Sequence, residues 1–323
     1  MKAFTRSKYG STDMLQLDEV EKPVPRENEV LVKVFAVSIN VDDLEHLRGT
    51  IAVRLASPLK PKYKILGSDI AGKVESVGKN VKQFKPGDEV FGDLTEYGFG
   101  GFAEYVCVPE DALLLKPQMM SFEDASTITS RVAIAMRYLR AKRQIRAGDK
   151  VLINGAGGGV GTFAIQIAKH YGAEVTGVDS AEKLGMLCSI GADHVIDYLQ
   201  EDFTKNGLKY DKIIDVAGCH SILDYKRALS PEGIYLIVGG PRSSILQALI
   251  LGPLVSLWGN KKLGIPFEVN KKEDLVFVKE LVEASKVKPV IDRVYPFVEV
   301  PKALRYLEEG HHKGKIVIVM DQD

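Results

Sequence analysis

"INGAGGGVG", residues 153–161, places five glycines in nine positions directly after the apolar run Lys150-Val151-Leu152-Ile153. Glycine gives up more backbone freedom on folding than any other residue, so this density has to answer a steric need. Ala156-x-Gly158-x-x-Gly161 is the GxGxxG dinucleotide pattern with alanine at its first position. The pattern alone says little. Its setting says more: an apolar strand precedes it, the apolar helix "VGTFAIQIAKHYG" follows, and the next strand, "EVTGVD", closes on an acid. Gly158 then lets a diphosphate approach the backbone, and Gly161 lets the helix pack against the sheet. The helix start offers free N–H groups to the anion. Ala156, Gly157, Gly158, Gly159, Val160 and Gly161 are the expected phosphate-binding segment. A glycine-rich turn without a ligand is the plainer alternative.

Outward from this loop the chain alternates strands and helices: "KVLINGA", "EVTGVDS", "EKLGMLCSIG", "HVIDY", "KIIDVAG", "SILDYKRAL" and "IYLIVGG". Such alternation predicts parallel strands joined by crossover helices, a doubly wound α/β sheet. The first part reads differently. "EVLVKVFAV" (29–37), "DIAGKVESVG" (69–78), "GDEVFGD" (87–93) and "FAEYVCVPE" (102–110) are short strands, with Pro86-Gly87 as turn punctuation. They predict a small barrel or strongly bent sheet, which the apolar tail strand "KGKIVIVM" can rejoin. From Ser121 a helical pattern begins, with Ser121 and Asp124 spaced as a capping box in which Asp replaces Glu. The predicted domains are 1–124 with 267–323, and 125–266.

Asp179 ends "EVTGVD", about 20 residues past the glycines, where an acid takes the adenosine ribose diol of NAD(H). Ser180 and Lys183 follow at once, and Tyr198 closes "HVIDY"; together they suit the 2′-phosphate of NADP(H). A helix N-cap at Ser180 and a solvated Lys183 are the structural alternatives. The preference leans to NADP(H), with NAD(H) left open by Asp179. Val238, Gly239 and Gly240 close "YLIVGG", and Ala217-Gly218 closes "IIDVAG". Both belong at the carboxyl ends of sheet strands, where ligands bind in such folds.

The 323 residues exceed what one core usually serves. Lys plus Arg (43) equals Asp plus Glu (43), which leaves no overall field for nucleic acid or acidic membranes. The 3 cysteines are too few for a disulfide framework and fit a cytoplasmic setting. The N-terminus lacks an apolar signal-peptide core. "SILQALILGPLVSLWG" (244–259), broken by Gln247, Gly252 and Pro253, is too short an apolar run for a membrane helix and is expected to be buried or at an interface.

Over nearly its whole length the sequence resembles the medium-chain dehydrogenase/reductase superfamily, nearest its zinc-independent quinone oxidoreductases and enone reductases. The match rests on "VLINGAGGGVGTFAIQIAKHYGAEVTGV", "FKPGDEVFGD", "GGFAEYVCVPED", "GADHVIDY" and "GKIVIV". The resemblance implies a GroES-like β-barrel catalytic domain built from both chain ends, a Rossmann domain inserted between, and a homodimer. Zinc-dependent relatives carry cysteine, His-Glu and a later cysteine or acid where this chain has Asn40, Ser68-Asp69 and the cysteine-free "ITSRVAIAM". Amide and hydroxyl are poor zinc ligands, so the resemblance implies no metal.

Asn40 and Asp43 match the family's N-x-x-D loop beside the nicotinamide: Asn40 as a donor to substrate oxygen, Asp43 as an orienting group or a helix cap. Tyr63 is a proton donor or cleft lining, with lining favoured, and His46 an exposed helix residue or a general acid. Lys315 is a phosphate-side candidate. Arg131 and Ile134 depart from the family pattern near the cofactor, and Arg131 is expected to favour anionic substrates. Without a Lewis acid, reduction of a simple ketone lacks its charge stabiliser, whereas a quinone or α,β-unsaturated carbonyl spreads charge over its own conjugated system. The expected enzyme transfers hydride from NAD(P)H to such an acceptor. An alcohol dehydrogenase and a non-catalytic NAD(P)H sensor are the alternatives.

Overall fold

The computed structural model describes every residue except Trp258, 267–271 and 322–323. The chain divides into two compact units, Met1–Ser130 with Ile291–Asp323, and Arg131–Val290.

In the second unit, Lys150–Asn154, Glu174–Asp179, His194–Asp197, Tyr210–Asp215, Leu229–Ile237 and Lys262–Gly264 pair in parallel. Numbered along the chain, these described strands lie in the order 3-2-1-4-5-6. That is the Rossmann order, and it reverses between Lys150–Asn154 and Tyr210–Asp215. The helix after the first strand, Gly159–His170, is buried along most of its length through Val160, Phe163, Ala164, Ile165, Ile167 and Ala168. A helix apolar on so many sides belongs inside a layered core.

In the first unit, Ile291–Pro296, Lys315–Val319, Glu29–Ile39, Asp69–Val77, Glu89–Asp93 and Leu113–Leu115 form one path, and Tyr105–Pro109 also pairs with Glu29–Ile39. All pairings on this path are antiparallel except that of Ile291–Pro296 with Lys315–Val319. The tail strand does rejoin the chain's first part, matching Ile316 to Ile39 and Val319 to Ala36. Val32, Val34, Val37, Ile70, Val90 and Phe102 from these strands and loops share a core with Phe297, Leu304 and Ile318 from the tail.

Two features of the structure differ from the sequence reading. The chain passes from one compact unit to the other at 130/131 and 290/291, where the expected bounds were 124/125 and 266/267; the expected start at 267 lies outside the described residues. Long-range bonds explain the shift: Asp274 pairs with Arg140 at 2.9 Å, and Gln166 grips Lys288 by accepting from its N–H and donating to its carbonyl. The single helix expected from Ser121 is two, Phe122–Thr127 and Ser130–Arg140. Ser121 caps the first by accepting from the Asp124 N–H. The apolar helix Arg242–Ser256, expected to be buried or at an interface, buries Ala248 and Gly252 and leaves Leu246, Leu249, Ile250 and Leu254 exposed.

Candidate functional site

The glycine loop bends at Gly155, whose φ of +78° suits glycine alone without strain. The Gly155 and Ala156 N–H groups donate to the Val178 carbonyl, which hooks the loop onto the neighbouring strand. The glycines differ in why they are bare. A Cβ on Gly161 would lie 2.5 Å from the Ala156 carbonyl oxygen, and one on Gly157 would lie 2.5 Å from Lys183 Cδ. A Cβ on Gly158 would meet only the Gly155 oxygen, at 3.8 Å. Two glycines thus serve internal packing, while Gly158 caps the helix beside open space. A dinucleotide diphosphate fits that cradle, with the N–H groups at the helix start as donors.

Asp179 and Lys183 are both nearly buried. The Asp179 carboxylate accepts from the Gly157 N–H at 2.7 Å and the Ser180 N–H at 2.9 Å, and Lys183 Nζ lies 3.4 Å from it. Lys183 is therefore not the solvated residue of the structural alternative. Ser180 occupies the N-cap position, but its side chain makes no capping bond. Tyr198 is exposed beside this pair, its N–H donating to the Asp179 carbonyl.

Asn154, Gly155, Val178, Asp179, Tyr198, Ala217 and Cys219 line a cavity of about 230 Å³ at the point where the strand order reverses. The Ala217-Gly218 and Val238–Gly240 turns meet at the same sheet end. Gly218 and Gly240 have φ of +65° and +119°, and a Cβ on Gly240 would lie 2.7 Å from the Ala217 oxygen. Asp215, unremarked in the sequence, organises this end. It accepts from Asn154 Nδ2 and the Gly218 N–H, each at 2.8 Å, and from the Tyr235 hydroxyl at 2.9 Å. An acid closing the apolar strand "KIID" was its available signal.

In the other unit, Asn40, Asp43, Ser68, Asp69, Ser130 and Lys315 form a buried polar cluster. Asn40 Nδ2 donates to Asp69 Oδ2 at 2.8 Å and to Ser68 Oγ at 3.1 Å. Ser130 Oγ donates to the same Asp69 oxygen at 2.8 Å. Lys315 Nζ donates to Asn40 Oδ1 at 2.5 Å and stands 3.6 Å from Asp69 Oδ2. The expectation of Lys315 at the phosphates is corrected here: its ammonium is buried within this cluster. Ser130, from the region that lacked a cysteine, is a member that the sequence did not reveal.

Asp43 accepts from the Asn40 N–H at 2.8 Å and the Gly67 N–H at 2.9 Å, tying the loop before the helix Val41–Arg48 to the next strand. Complete burial pushes its carboxyl up to about 7, opposed by these two donors. Tyr63 is half-buried, 5.3 Å from the Phe99 ring and 5.7 Å from the His46 ring. His46 is half-buried rather than exposed; burial, then the Arg6 charge, lowers its pKa.

Asn40, Ser68 and Asp69 of this cluster are the residues that the resemblance sets against metal ligands of zinc-dependent relatives. The cluster's donors are two carboxylates, one amide and two hydroxyls: Asp43 is taken up by two backbone N–H groups, and the others are already bonded to one another around an ammonium. That set does not fit zinc, which asks for converging thiolate, imidazole or carboxylate. Among the described residues no three His, Cys, Asp or Glu side chains converge as a metal group.

Residues 26–118 match the family model of the alcohol dehydrogenase GroES-like domain, and residues 190–318 that of a zinc-binding dehydrogenase. The chain is 33% identical to the NADPH-dependent chloroplastic alkenal/one oxidoreductase of Arabidopsis thaliana, over 98% of this chain and 79% of that protein. It is 34% identical to the 2-methylene-furan-3-one reductase of Solanum lycopersicum, with the same coverage. The solved quinone oxidoreductase of Coxiella burnetii superposes with a TM-score of 0.87 at 29% identity, over 99% of each chain. The chain belongs to the medium-chain dehydrogenase/reductase superfamily, in its quinone oxidoreductase and enone reductase branch.

Proposed function

We propose that this oxidoreductase passes hydride from NADPH to a quinone or an α,β-unsaturated carbonyl without a metal ion. The observation that carries this reading is the Asn40–Asp69–Lys315 cluster, which holds a protein cation where a Lewis acid would otherwise act. An ammonium 3.6 Å from Asp69 Oδ2 opposes a dication there by charge. The names of the relatives, an alkenal/one oxidoreductase and a quinone oxidoreductase, support the same acceptor class.

When bound, the nicotinamide supplies the hydride; the chain holds and orients. The Gly158 cradle and the helix start take the diphosphate. The turns at Ala217-Gly218 and Val238–Gly240 supply bare backbone for the rest of the dinucleotide. NADPH is favoured over NADH because the Asp179 carboxylate is committed to two backbone N–H groups and to Lys183. Lys183, Ser180 and Tyr198 then offer a cation and hydroxyls to a 2′-phosphate. On the substrate side, Asn40 acts as a positioning residue, since its amide hydrogens face Asp69 and Ser68. Asp43 fixes the Asn40 loop, and Tyr63 lines the substrate space.

A homodimer is part of this reading, supported by the exposed Leu246, Leu249, Ile250 and Leu254. Cysteines without a disulfide are in keeping with a cytoplasmic setting. No described helix is long and apolar enough to cross a membrane, and the balanced charge favours neither membrane surface nor nucleic acid as a partner. The test is steady-state NADPH oxidation with 2-alkenals, cyclic enones, quinones and simple ketones, with and without chelator. Chelator-insensitive turnover of the conjugated acceptors is expected. Turnover of simple ketones that chelator abolishes would overturn the metal-free reading, and cofactor binding with no turnover at all would leave a sensor.

A further inference from the structure

Charge is balanced over the whole chain but not along it. From His46 to Ser68 there is no acid, and there are five arginines and lysines. Arg48 pairs with Glu308. Arg54, Lys60, Lys62 and Lys64 are all exposed and, among the described residues, have no carboxylate partner.

The same stretch carries apolar side chains that the fold leaves outside. The short helix Ile51–Ala56 buries none of its residues. Ile51 and Leu55, four apart and so on one face, are 62% and 83% exposed, and Leu59, just beyond, is 89% exposed. These side chains are held out rather than loose. The Tyr9 hydroxyl donates to the Ser57 carbonyl at 2.7 Å, with the Lys60 carbonyl 3.2 Å away, and Ser57 Oγ donates to the Lys60 carbonyl at 2.7 Å. Arg54 Nε donates to the Gly49 carbonyl at 2.8 Å, its guanidinium 4.6 Å from the centre of the Tyr9 ring. Pro58 and Pro61 stiffen the turn that carries Leu59.

We propose that residues 51–64 form a docking surface for an anionic phospholipid bilayer, with Ile51, Leu55 and Leu59 entering the interface and Arg54, Lys60, Lys62 and Lys64 at the headgroups. Charge complementarity selects the occupant: each cation beside an anionic leaflet adds attraction, and the aliphatic side chains gain by leaving water. A lipid surface also fits the composition better than a protein partner does. Protein interfaces favour aromatic residues and arginine and are depleted in lysine, whereas three of these four cations are lysines beside aliphatic side chains. Long lysine stems reach the headgroups while their neighbours go deeper. The even totals of the whole chain give no such attraction; the segregation of charge in this stretch does. Tyr63 lies in the same stretch, so docking sets the substrate space proposed above against a phase in which long-chain quinones and alkenals dissolve. That consequence, unlike the docking itself, rests on the proposed function.

The test sediments the full chain with vesicles of phosphatidylcholine alone and of phosphatidylcholine and phosphatidylserine in equal parts, in low and in high salt. Binding to the anionic vesicles should be about tenfold tighter than to the neutral ones and should weaken with salt. Leu55→Ser with Leu59→Ser, and separately Lys60→Glu with Lys62→Glu, should each weaken it about tenfold. Their melting temperatures should not change, since all four side chains are exposed. Leu208→Ser with Leu223→Ser, exposed on the other unit, should bind as wild type. Equal binding to both vesicles, no binding to either, or wild-type binding by either patch variant overturns the proposal. So does a chain that ignores vesicles yet self-associates, or binds polyglutamate, through these residues, which gives the face to a second copy or to an acidic protein. NADPH oxidation with a short 2-alkenal in water and a long one dissolved in the vesicles tests the consequence: the patch variants should lose turnover of the long one alone. If no acceptor is turned over, the proposed function fails, and sedimentation still decides the docking.

Discussion

Lys315 Nζ donates to Asn40 Oδ1 at 2.5 Å across 275 residues of sequence, and the same ammonium stands 3.6 Å from the wholly buried Asp69 carboxylate. Removing one partner of such a pair strands a buried charge, which typically costs about 3–5 kcal/mol. Lys315→Met should therefore lower stability in urea by an amount in that range. Lys315→Met with Asp69→Asn should recover part of the loss, because the orphaned charge is gone. Equal stability of the two variants would remove the charge pairing from this account.

The glycine loop yields a paired prediction. Gly161→Ala drives a Cβ to 2.5 Å from the Ala156 carbonyl oxygen, and overpacking of this kind costs about 1–3 kcal/mol. Gly158→Ala meets nothing closer than 3.8 Å, at an unstrained φ of −88°. It should melt close to wild type yet bind NADPH roughly tenfold more weakly, about 1.4 kcal/mol. Thermal melts and a fluorescence titration separate the two effects. Unchanged NADPH binding in Gly158→Ala would take the diphosphate away from this cradle.

Both halves of the fold were legible in the sequence because their signals are local. Bare glycines after an apolar strand, and the change from short strands to strand–helix alternation, need no knowledge of distant partners. What stayed hidden is carried by contacts far apart in sequence. The unit boundary depends on Gln166 holding Lys288, and the place of Lys315 depends on Asn40. A solvated Lys183 stood as the alternative to a cofactor-binding one because burial by the loop across from it leaves no local trace.

Lys212 shows the same limit. In "YDKIID" it reads as the polar face of a strand, yet it is wholly buried. Its ammonium donates to the carbonyls of Leu139, Ala141 and Arg143 at 2.8, 2.9 and 2.7 Å, at the end of the helix Ser130–Arg140. Carbonyls at a helix C-terminus lack intrahelical donors and favour a cation. Lys212→Met should cost about 1–3 kcal/mol in urea unfolding by leaving buried acceptors unsatisfied.

Cofactor choice turns on Lys183, which neutralises Asp179 from 3.4 Å. Lys183→Ala removes the cation offered to a 2′-phosphate and leaves the Asp179 charge facing it. The ratio of kcat/KM for NADPH to that for NADH should drop about tenfold or more, equivalent to 1.4 kcal/mol. An unchanged ratio would leave the NADPH preference without this support.

Asp43 gives the pH test. Its carboxyl is pushed from 3.8 up to about 7 by burial in the folded chain. Between those values the folded state holds a proton that the unfolded state has released, so this group's contribution to stability falls as pH rises. Above about 7 both states are ionised and the contribution is flat. Asp43→Asn cannot titrate, and its amide matches the Asn40 and Gly67 N–H donors poorly, so it should be less stable at low pH. Its disadvantage relative to wild type should narrow from about pH 4 to about pH 7 and then stay constant, read from urea unfolding across that range. A gap that stays constant over that interval would mean that the two backbone donors hold the folded carboxylate ionised, against the upward push assigned to burial.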